Sequence, residues 1–358
     1  MLNKDRLSRV VRNMQKENLP QILVSSTQAV YYLTGLWIIP GERLVALHIT
    51  DTGEVRMIAN RLFALSGACG DLPLAEHDDT DDAVAALAAY LKPGVLGVDK
   101  FWPSHFAIRL MALRPDIRLA VGSAPVDEAR MFKDAAEMEF MRASSRVNDK
   151  LVAALPPTFT LGERESDVAR RYVNWAGEYG AQGGTFTLVC FGANGAQPHH
   201  NTDDTRLKEG DAIIVDVGVE IDHFMSDITR TFFFGSATDE QKRVYDVVKA
   251  ANAAARAAVR PGIPMCEIDR AARKVIEQAG YGPYFIHRTG HGIGIEGHEA
   301  PDCSATCQLI TRPGLVFSIE PGIYLPGKFG VRIEDLVAVT EDGCETLNQL
   351  DRELQIIT

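Results

Sequence analysis

Four acidic residues set in apolar, β-branched sequence constrain this chain more than any other feature. Asp216 and Asp227 flank one segment with the pattern of a β-hairpin, and Glu320 and Glu334 flank a second. If each hairpin turns midway, the two carboxylates of a pair face each other with Cβ atoms roughly 5 Å apart. Buried like charges at that separation are destabilising unless positive charge lies between them. Two divalent metal ions would supply that charge, so the pattern predicts a metal-dependent hydrolase.

The midpoints give the expected turn positions. For the aspartate pair the midpoint falls between Ile221 and Asp222. For the glutamate pair it falls at Gly327, within a Pro-Gly-Lys sequence that suits a tight turn.

A fifth candidate ligand is His291, which lies between two glycines. Because glycine has no Cβ, the backbone on both sides can approach a metal centre closely and hold the ring in a tight turn. Carboxylate oxygens with one imidazole suit Mn, Co, Fe or Zn, and the excess of oxygen ligands favours Mn. The four acids would balance two divalent ions, which would activate a water molecule as a nucleophile near neutral pH.

Composition limits the classes of function. A net charge of −11 without a basic run argues against nucleic-acid binding. The N-terminus leads into an amphipathic segment instead of an apolar signal core, and we see no apolar run long enough to span a bilayer. We therefore expect no membrane partner and a cytoplasmic location, in which the six scattered cysteines would be reduced thiols.

The length of 358 residues predicts two domains. Residues 1–122 alternate helical and strand patterns, as expected of a small α/β domain, and residues 123–358 form the second domain. Within the second domain, residues 167–177 resemble residues 270–280 at an offset of 103, and the acids repeat at offsets of 104 and 107. This agreement predicts a duplicated α+β domain that brings one hairpin from each half to a shared axis.

These motifs together resemble those of the pita-bread metallopeptidases, the family of Xaa-Pro dipeptidase (prolidase), aminopeptidase P and methionine aminopeptidase. The matching segments are residues 215–218, 226–232, 290–294, 298–301, 318–322 and 331–335, in the family order. Residues 29–35 are similar to the creatinase/prolidase N-terminal domain, which methionine aminopeptidases generally lack. The resemblance implies an α+β pita-bread catalytic domain with pseudo-two-fold halves, preceded by the smaller α/β domain.

The resemblance also implies how the ligands share two metal ions. Asp216 would chelate one metal, Asp227 and Glu334 would bridge both, and His291 and Glu320 would complete the second. Glu320 would also take a proton from the attacking water and pass it to the leaving imino nitrogen.

Further roles follow from the resemblance for the histidines and, for Thr229 and Arg332, from a position two residues from a ligand on the same strand face. Thr229 would orient the shell of the first metal. His298 would donate a hydrogen bond to the substrate near the scissile bond, and His199 would steady the tetrahedral intermediate. Because His200 is adjacent, the sequence leaves open which of the two histidines fills this role, and His199 is preferred because it directly follows Pro198. Arg332 would pair either with a site carboxylate or with a substrate carboxylate.

The expected activity is hydrolysis of the bond before proline, a tertiary amide without the N–H that ordinary peptidase grooves bind. A dipeptidase is the favoured form, and aminopeptidase P activity on longer peptides is the alternative. Metal-free, creatinase-like amidine hydrolysis and a non-catalytic binding module are further classes, and the complete ligand set argues against both. The resemblance implies a homodimer. Candidate walls for the proline ring are Phe191, Tyr284, Phe285 and Tyr324.

Overall fold

The computed structural model describes residues 2–358, apart from the side chains at positions 184 and 185. The chain divides into two units, one up to Arg130 and one from Met131 to the end. Among the described residues, no helix is both long and apolar enough to cross a membrane.

The N-terminal unit is a mixed sheet with helices. Its strand order is β4-β3-β2-β1-β5-β6, with β1 antiparallel to β2 and parallel to β5. Its helices are α1 (Lys4–Lys16), α2 (Thr27–Thr34), α3 (Ala83–Ala88), α4 (Ser104–Leu113) and α5 (Ala124–Met131), and its strands are β1 (Gln21–Val24), β2 (Ala46–Thr50), β3 (Val55–Asn60), β4 (Leu74–His77), β5 (Gly94–Val98) and β6 (Ile117–Val121). The alternation of helices and strands agrees with the small α/β domain expected from the sequence.

Helix α5 groups with the N-terminal unit, although the sequence boundary was placed before it. The side-chain amide of Asn13 donates to the carbonyl of Pro125 at 2.9 Å, and the hydroxyl of the buried Tyr32 donates to the carbonyl of Ala129 at 3.0 Å. These hydrogen bonds attach α5 to α1 and α2, so the compact unit ends at Arg130.

The second unit contains two sheets and four long helices. One sheet has the order β18-β10-β8-β7 with β9 paired to β8, the other has the order β12-β11-β13-β16-β17, and β14 and β15 form a separate ribbon. Its elements are α6 (Ala135–Ala154), α7 (Glu165–Glu178), β7 (Gly184–Phe191), β8 (Ala212–Ile221), β9 (Phe224–Met225), β10 (Ile228–Phe234), α8 (Asp239–Ala258), α9 (Met265–Gln278), β11 (Gly290–Gly292), β12 (Glu299–Cys303), β13 (Val316–Ile319), β14 (Gly322–Leu325), β15 (Phe329–Arg332), β16 (Asp335–Val339), β17 (Cys344–Thr346) and β18 (Ile356–Ile357).

The two halves of this unit repeat the same order of elements. Each half begins with a helix of 20 residues, α6 or α8, and continues with a helix of 14 residues, α7 or α9. Each then forms antiparallel strands, to which β18 adds in parallel beside β10, and each sheet has its own apolar core against the helices. The predicted α+β fold with duplicated halves is confirmed.

The register of the glutamate hairpin is also as predicted. Ile319 pairs with Asp335 and Gly322 pairs with Arg332, so Glu320 and Glu334 follow the same register just beyond the strand ends. The ribbon turns at Gly327, whose φ is 72°.

The register of the aspartate hairpin was predicted wrongly. Asp216 pairs with Thr229, and not with Asp227. The turn lies at Asp222 and His223, which both have positive φ angles of 48° and 67°. This two-residue turn shifts the pairing by two positions, which preserves the face on which each side chain lies.

Candidate active site

The two sheets bring all eight predicted site residues to one cavity of about 560 Å³. The described side chains that line it are Phe186, Leu188, Pro198, His199, Asp216, Asp227, His287, Arg288, His291, His298, Glu320, Arg332 and Glu334. The aspartates come from the β8–β10 hairpin and the glutamates from the ends of β13 and β15, so each half contributes one acid pair.

Asp227, His291 and Glu334 form the tightest group, with one potential ligand atom from each lying within 4.8 Å of the others. All three are buried. Nε2 of His291 lies 3.8 Å from Oδ2 of Asp227 and 3.5 Å from Oε1 of Glu320. These distances leave room for a cation between the atoms, since Zn–N and Zn–O bonds are about 2 Å long.

The glycines on both sides of His291 are required by close packing. A Cβ on Gly290 would lie 1.8 Å from the carbonyl oxygen of Ser318, and a Cβ on Gly292 would lie 2.3 Å from that of Ala300. Strand β11 therefore lies so close to its neighbours that no side chain fits at either position. This packing fixes the backbone from which His291 projects.

His291 has the tautomer that a metal ligand needs. Its Nδ1–H donates to the carbonyl of Gly292 at 3.0 Å, which leaves Nε2 free to face the carboxylates. Burial, reinforced by the neighbouring His298, lowers the pKa of His291 to about 3 and keeps the ring neutral. The centroids of the two imidazole rings lie 3.9 Å apart, and the ring planes are tilted by 37°.

Thr229 and Arg332 connect the acids of the two halves. The hydroxyl of Thr229 donates to Oε2 of Glu334 at 2.8 Å and accepts from Nε of Arg332 at 3.2 Å. Arg332 also forms a buried ion pair with Asp216 and donates to the hydroxyl of Tyr324 at 2.9 Å. Of the two partners proposed for Arg332, the structure therefore places it against a site carboxylate.

The acids are arranged to receive positive charge. Among the described residues, Oδ1 of Asp227 and Oε1 of Glu334 are buried and have no hydrogen-bond partner. Burial, with repulsion from neighbouring acids, raises the pKa of both residues well above the ordinary value. Burial also raises the pKa of Glu320 to about 7, although Arg332 opposes the shift. Two divalent cations would remove this repulsion, so the donor set fits the predicted metal ions.

The adjacent residues His199 and His200 lie in different environments. His199 lines the cavity. Nε2 of His200 lies 3.3 Å from Asp203 and 3.8 Å from the buried Glu165, away from the acid cluster. Of the two histidines, His199 is therefore the one that lines the cavity, and its role toward a substrate stays a prediction.

A buried asparagine in each half supports the acids from behind. Asn148 on α6 donates to the carbonyl of Val217 at 2.8 Å, next to Asp216. Asn252 on α8 donates to the carbonyls of Ile319 at 3.0 Å and Ile333 at 3.2 Å, next to Glu320 and Glu334. Both asparagines are fully buried. The sequence reasoning did not identify them, although they are 104 positions apart, the separation already noted between Asp216 and Glu320.

Two family models match this chain. The model of metallopeptidase family M24 matches residues 139–341, and the creatinase/prolidase N-terminal domain model matches residues 6–132. The chain belongs to metallopeptidase family M24.

Relatives of this M24 peptidase cover its whole length. The Xaa-Pro dipeptidase of Pyrococcus furiosus is 31% identical over 98% of this chain and 99% of its own. The prolidase structure from Thermococcus sibiricus matches with a TM-score of 0.94 and 34% identity over 99% of both chains. An X-Pro aminopeptidase structure from Thermotoga maritima is less similar, with a TM-score of 0.82 and 26% identity over 97% of this chain and all of its own.

The M24 cavity also contains groups that the sequence did not indicate. His287 accepts a hydrogen bond from Tyr324 at 2.8 Å, and Arg288 lies beside His298. The apolar wall is formed by Phe186 and Leu188 of β7. The four predicted wall residues are not among the lining side chains: Phe191 and Phe285 are in the apolar cores, Tyr284 is partly exposed, and Tyr324 is buried behind Arg332.

Proposed function

We propose that this M24 peptidase is an Xaa-Pro dipeptidase that holds two divalent metal ions. The supporting observation is the buried cluster of Asp227, His291 and Glu334, in which two carboxylate oxygens have no hydrogen-bond partner among the described residues. Asp216 and Glu320 would complete the set of residues that hold the ions. When bound, the ions would polarise the scissile carbonyl and make a water molecule nucleophilic near neutral pH.

The side chains supply the proton transfers and the orientation. Glu320, whose pKa is raised to about 7 by burial, can accept a proton from the attacking water and give it to the leaving imino nitrogen. Nδ1 of His298 accepts a hydrogen bond from Arg288 at 3.4 Å, so Nε2 carries the proton and can donate to the substrate. His199 would donate to the oxygen on which charge develops.

The shape of the cavity suits a proline ring. Phe186, Leu188 and Pro198 contribute apolar surface to the lining of the cavity. Burial of a compact ring against such a wall is favourable by about 25 cal/mol for each Å² of apolar surface. Because the X-Pro amide has no N–H, its recognition does not require a carbonyl acceptor at the reacting bond.

The relatives favour a dipeptidase over an aminopeptidase. The proteins named Xaa-Pro dipeptidase and prolidase match at 31% and 34% identity, whereas the X-Pro aminopeptidase matches at 26%. The finer properties are proposals from the sequence: manganese as the bound metal, a homodimer and a cytoplasmic location. The six cysteines are all unpaired, which supports a reducing compartment.

The test is metal content measured together with activity. The protein should bind two manganese ions per chain and hydrolyse Xaa-Pro dipeptides faster than Xaa-Ala dipeptides or Xaa-Pro-Xaa tripeptides. Asp227→Asn and Glu334→Gln should lose both ions and the activity. Glu220→Gln is the matched control, because Glu220 is on β8 but pairs with His223 outside the cavity. Two ions retained by either site variant, or equal rates on Xaa-Pro and Xaa-Ala, would contradict the proposal.

A further inference from the structure

A buried ion pair lies at the turn between β11 and β12, the turn that carries His298. Nζ of Lys133 lies 3.0 Å from Oε2 of Glu299, and only 2% and 5% of the two side chains are exposed. Neither residue is among the described side chains that line the cavity. Burial of two charges costs desolvation energy that their attraction often fails to exceed, so stability alone does not account for such a pair. Its contacts indicate its role better than its strength does.

Both partners hold the turn formed by residues 293–298. The second carboxylate oxygen of Glu299, Oε1, accepts a hydrogen bond from the backbone N–H of Glu296 at 3.1 Å. Lys133 packs directly against Gly294, where an added Cβ would lie 2.8 Å from Cε and 2.9 Å from Nζ of the lysine. The turn therefore approaches the lysine more closely than a residue with a side chain would allow, and the pair fixes the turn at two of its residues.

The same turn is joined to the acid cluster. The carbonyl of Gly294 accepts a hydrogen bond at 2.8 Å from the backbone N–H of Met225, which lies two residues before Asp227. At the other end of the turn, the centroid of the His298 ring lies 3.9 Å from that of His291. A displacement of the turn would therefore move His298 relative to the ligand cluster.

We propose that Lys133 and Glu299 form a positioning pair, which fixes the turn and thereby holds the side chain of His298 at the reacting bond. The inference rests on the proposed function, because the role of His298 toward the substrate belongs to that function. The pair acts through His298, the residue that directly precedes Glu299. Because catalysis depends steeply on geometry, a displacement of about 1 Å can cost roughly a hundredfold in rate.

Two variants remove the pair in different ways. Glu299→Gln is nearly isosteric and keeps an acceptor for the N–H of Glu296, but it removes the negative charge. The double variant Lys133→Met/Glu299→Leu removes both charges and keeps apolar volume in their place. Each should retain the metal content of the wild type, measured by elemental analysis, because neither residue lines the cavity.

Kinetics on the manganese-loaded protein with Ala-Pro as substrate give the first test. Both variants should lower kcat by roughly tenfold to a hundredfold. KM should change little, since the contact that is misplaced is stronger in the transition state than in the ground state. Leu155→Ala is the control, because Leu155 is a fully buried core residue beside α6. It should lower the thermal midpoint and leave kcat at the wild-type value.

A double-mutant cycle separates positioning from a merely structural role. If the pair acts through His298, adding Glu299→Gln to His298→Asn should lower kcat by no more than about twofold further. Losses that multiply would show that the pair acts independently of His298, and would overturn the inference. Wild-type kcat in the double variant Lys133→Met/Glu299→Leu, or metal lost from Glu299→Gln, would overturn it as well. If the double variant does not fold, the near-isosteric Glu299→Gln decides the question.

Hydrogen exchange gives a readout without turnover. Measured by mass spectrometry, the amides of residues 293–298 should exchange faster in Glu299→Gln than in the wild type. In Leu155→Ala these amides should keep the wild-type rate, and unchanged exchange of the turn in Glu299→Gln would contradict the inference. A loaded wild type that cleaves no Xaa-Pro peptide would refute the proposed function, and the exchange rates would still decide whether the pair fixes the turn.

Discussion

Removal of the metal ions should make stability fall as pH rises, and Glu320 gives the size of the effect. Its pKa is about 7 in the folded protein, against an ordinary value of 4.5. Because the folded state binds this proton more tightly, stability is lost as pH rises through 4.5 and continues to fall until the pH passes the folded pKa. The full loss corresponds to about 3 kcal/mol.

The measurement compares wild type with Glu320→Gln, both dialysed against a chelator and checked by elemental analysis. Between pH 5.5 and pH 8.5 the wild type should lose about 2 kcal/mol more than the variant, because glutamine does not titrate. For a unit of this size that corresponds to roughly 4–8 °C in the thermal midpoint.

Manganese should reverse the loss at pH 8.5 in the wild type more than in the variant, since the ions offset the charge that the pH rise creates. If both metal-free proteins lose the same stability over this range, Glu320 is not protonated in the folded metal-free protein, and the electrostatic account of the cluster is wrong.

The remaining predictions concern the scaffold of the site. Asn252→Ala should lower the unfolding free energy by about 1–3 kcal/mol and weaken manganese binding, because the buried carbonyls of Ile319 and Ile333 lose the donor that Asn252 provides. Calorimetric unfolding measures the first effect, and titration with manganese measures the second. Gly292→Ala should lose bound metal, by elemental analysis, since its Cβ would meet a backbone oxygen. Lys133→Met should destabilise by about 3–5 kcal/mol, because it removes the ammonium that offsets the buried carboxylate of Glu299, and adding Glu299→Leu should recover part of that loss in denaturant melts.

The candidate ligands could be recognised in the sequence because the pattern of acids and glycines is local. The Pro-Gly-Lys turn gave the glutamate register correctly. The aspartate register failed because Asp222 and His223 adopt positive φ, which favours glycine or asparagine and is not implied by the midpoint rule. The shift of two residues kept every side chain on its expected face, and so the predicted residues still converge.

Contacts between distant elements could not be predicted in the same way. Nothing local distinguishes the buried Asn148 from a solvent-facing residue on α6, since its partner Val217 is 69 positions away. The hydrogen bond between His287 and Tyr324 likewise joins residues on separate elements. The four aromatic residues predicted to contact the proline ring do not line the cavity, because an aromatic side chain indicates burial without indicating which face of an element is buried.

The hydrogen bonds that join the two halves at Thr229 and Glu334 also determine when the site can exist. The backbone N–H of Glu334 donates to the carbonyl of Thr229 at 3.1 Å, and the hydroxyl of Thr229 returns a bond to the carboxylate. During synthesis the aspartates emerge about a hundred residues before the glutamates, so the first half alone presents an incomplete ligand set. Metal uptake would then report that the whole catalytic unit has folded, and loss of either half would release the bound metal.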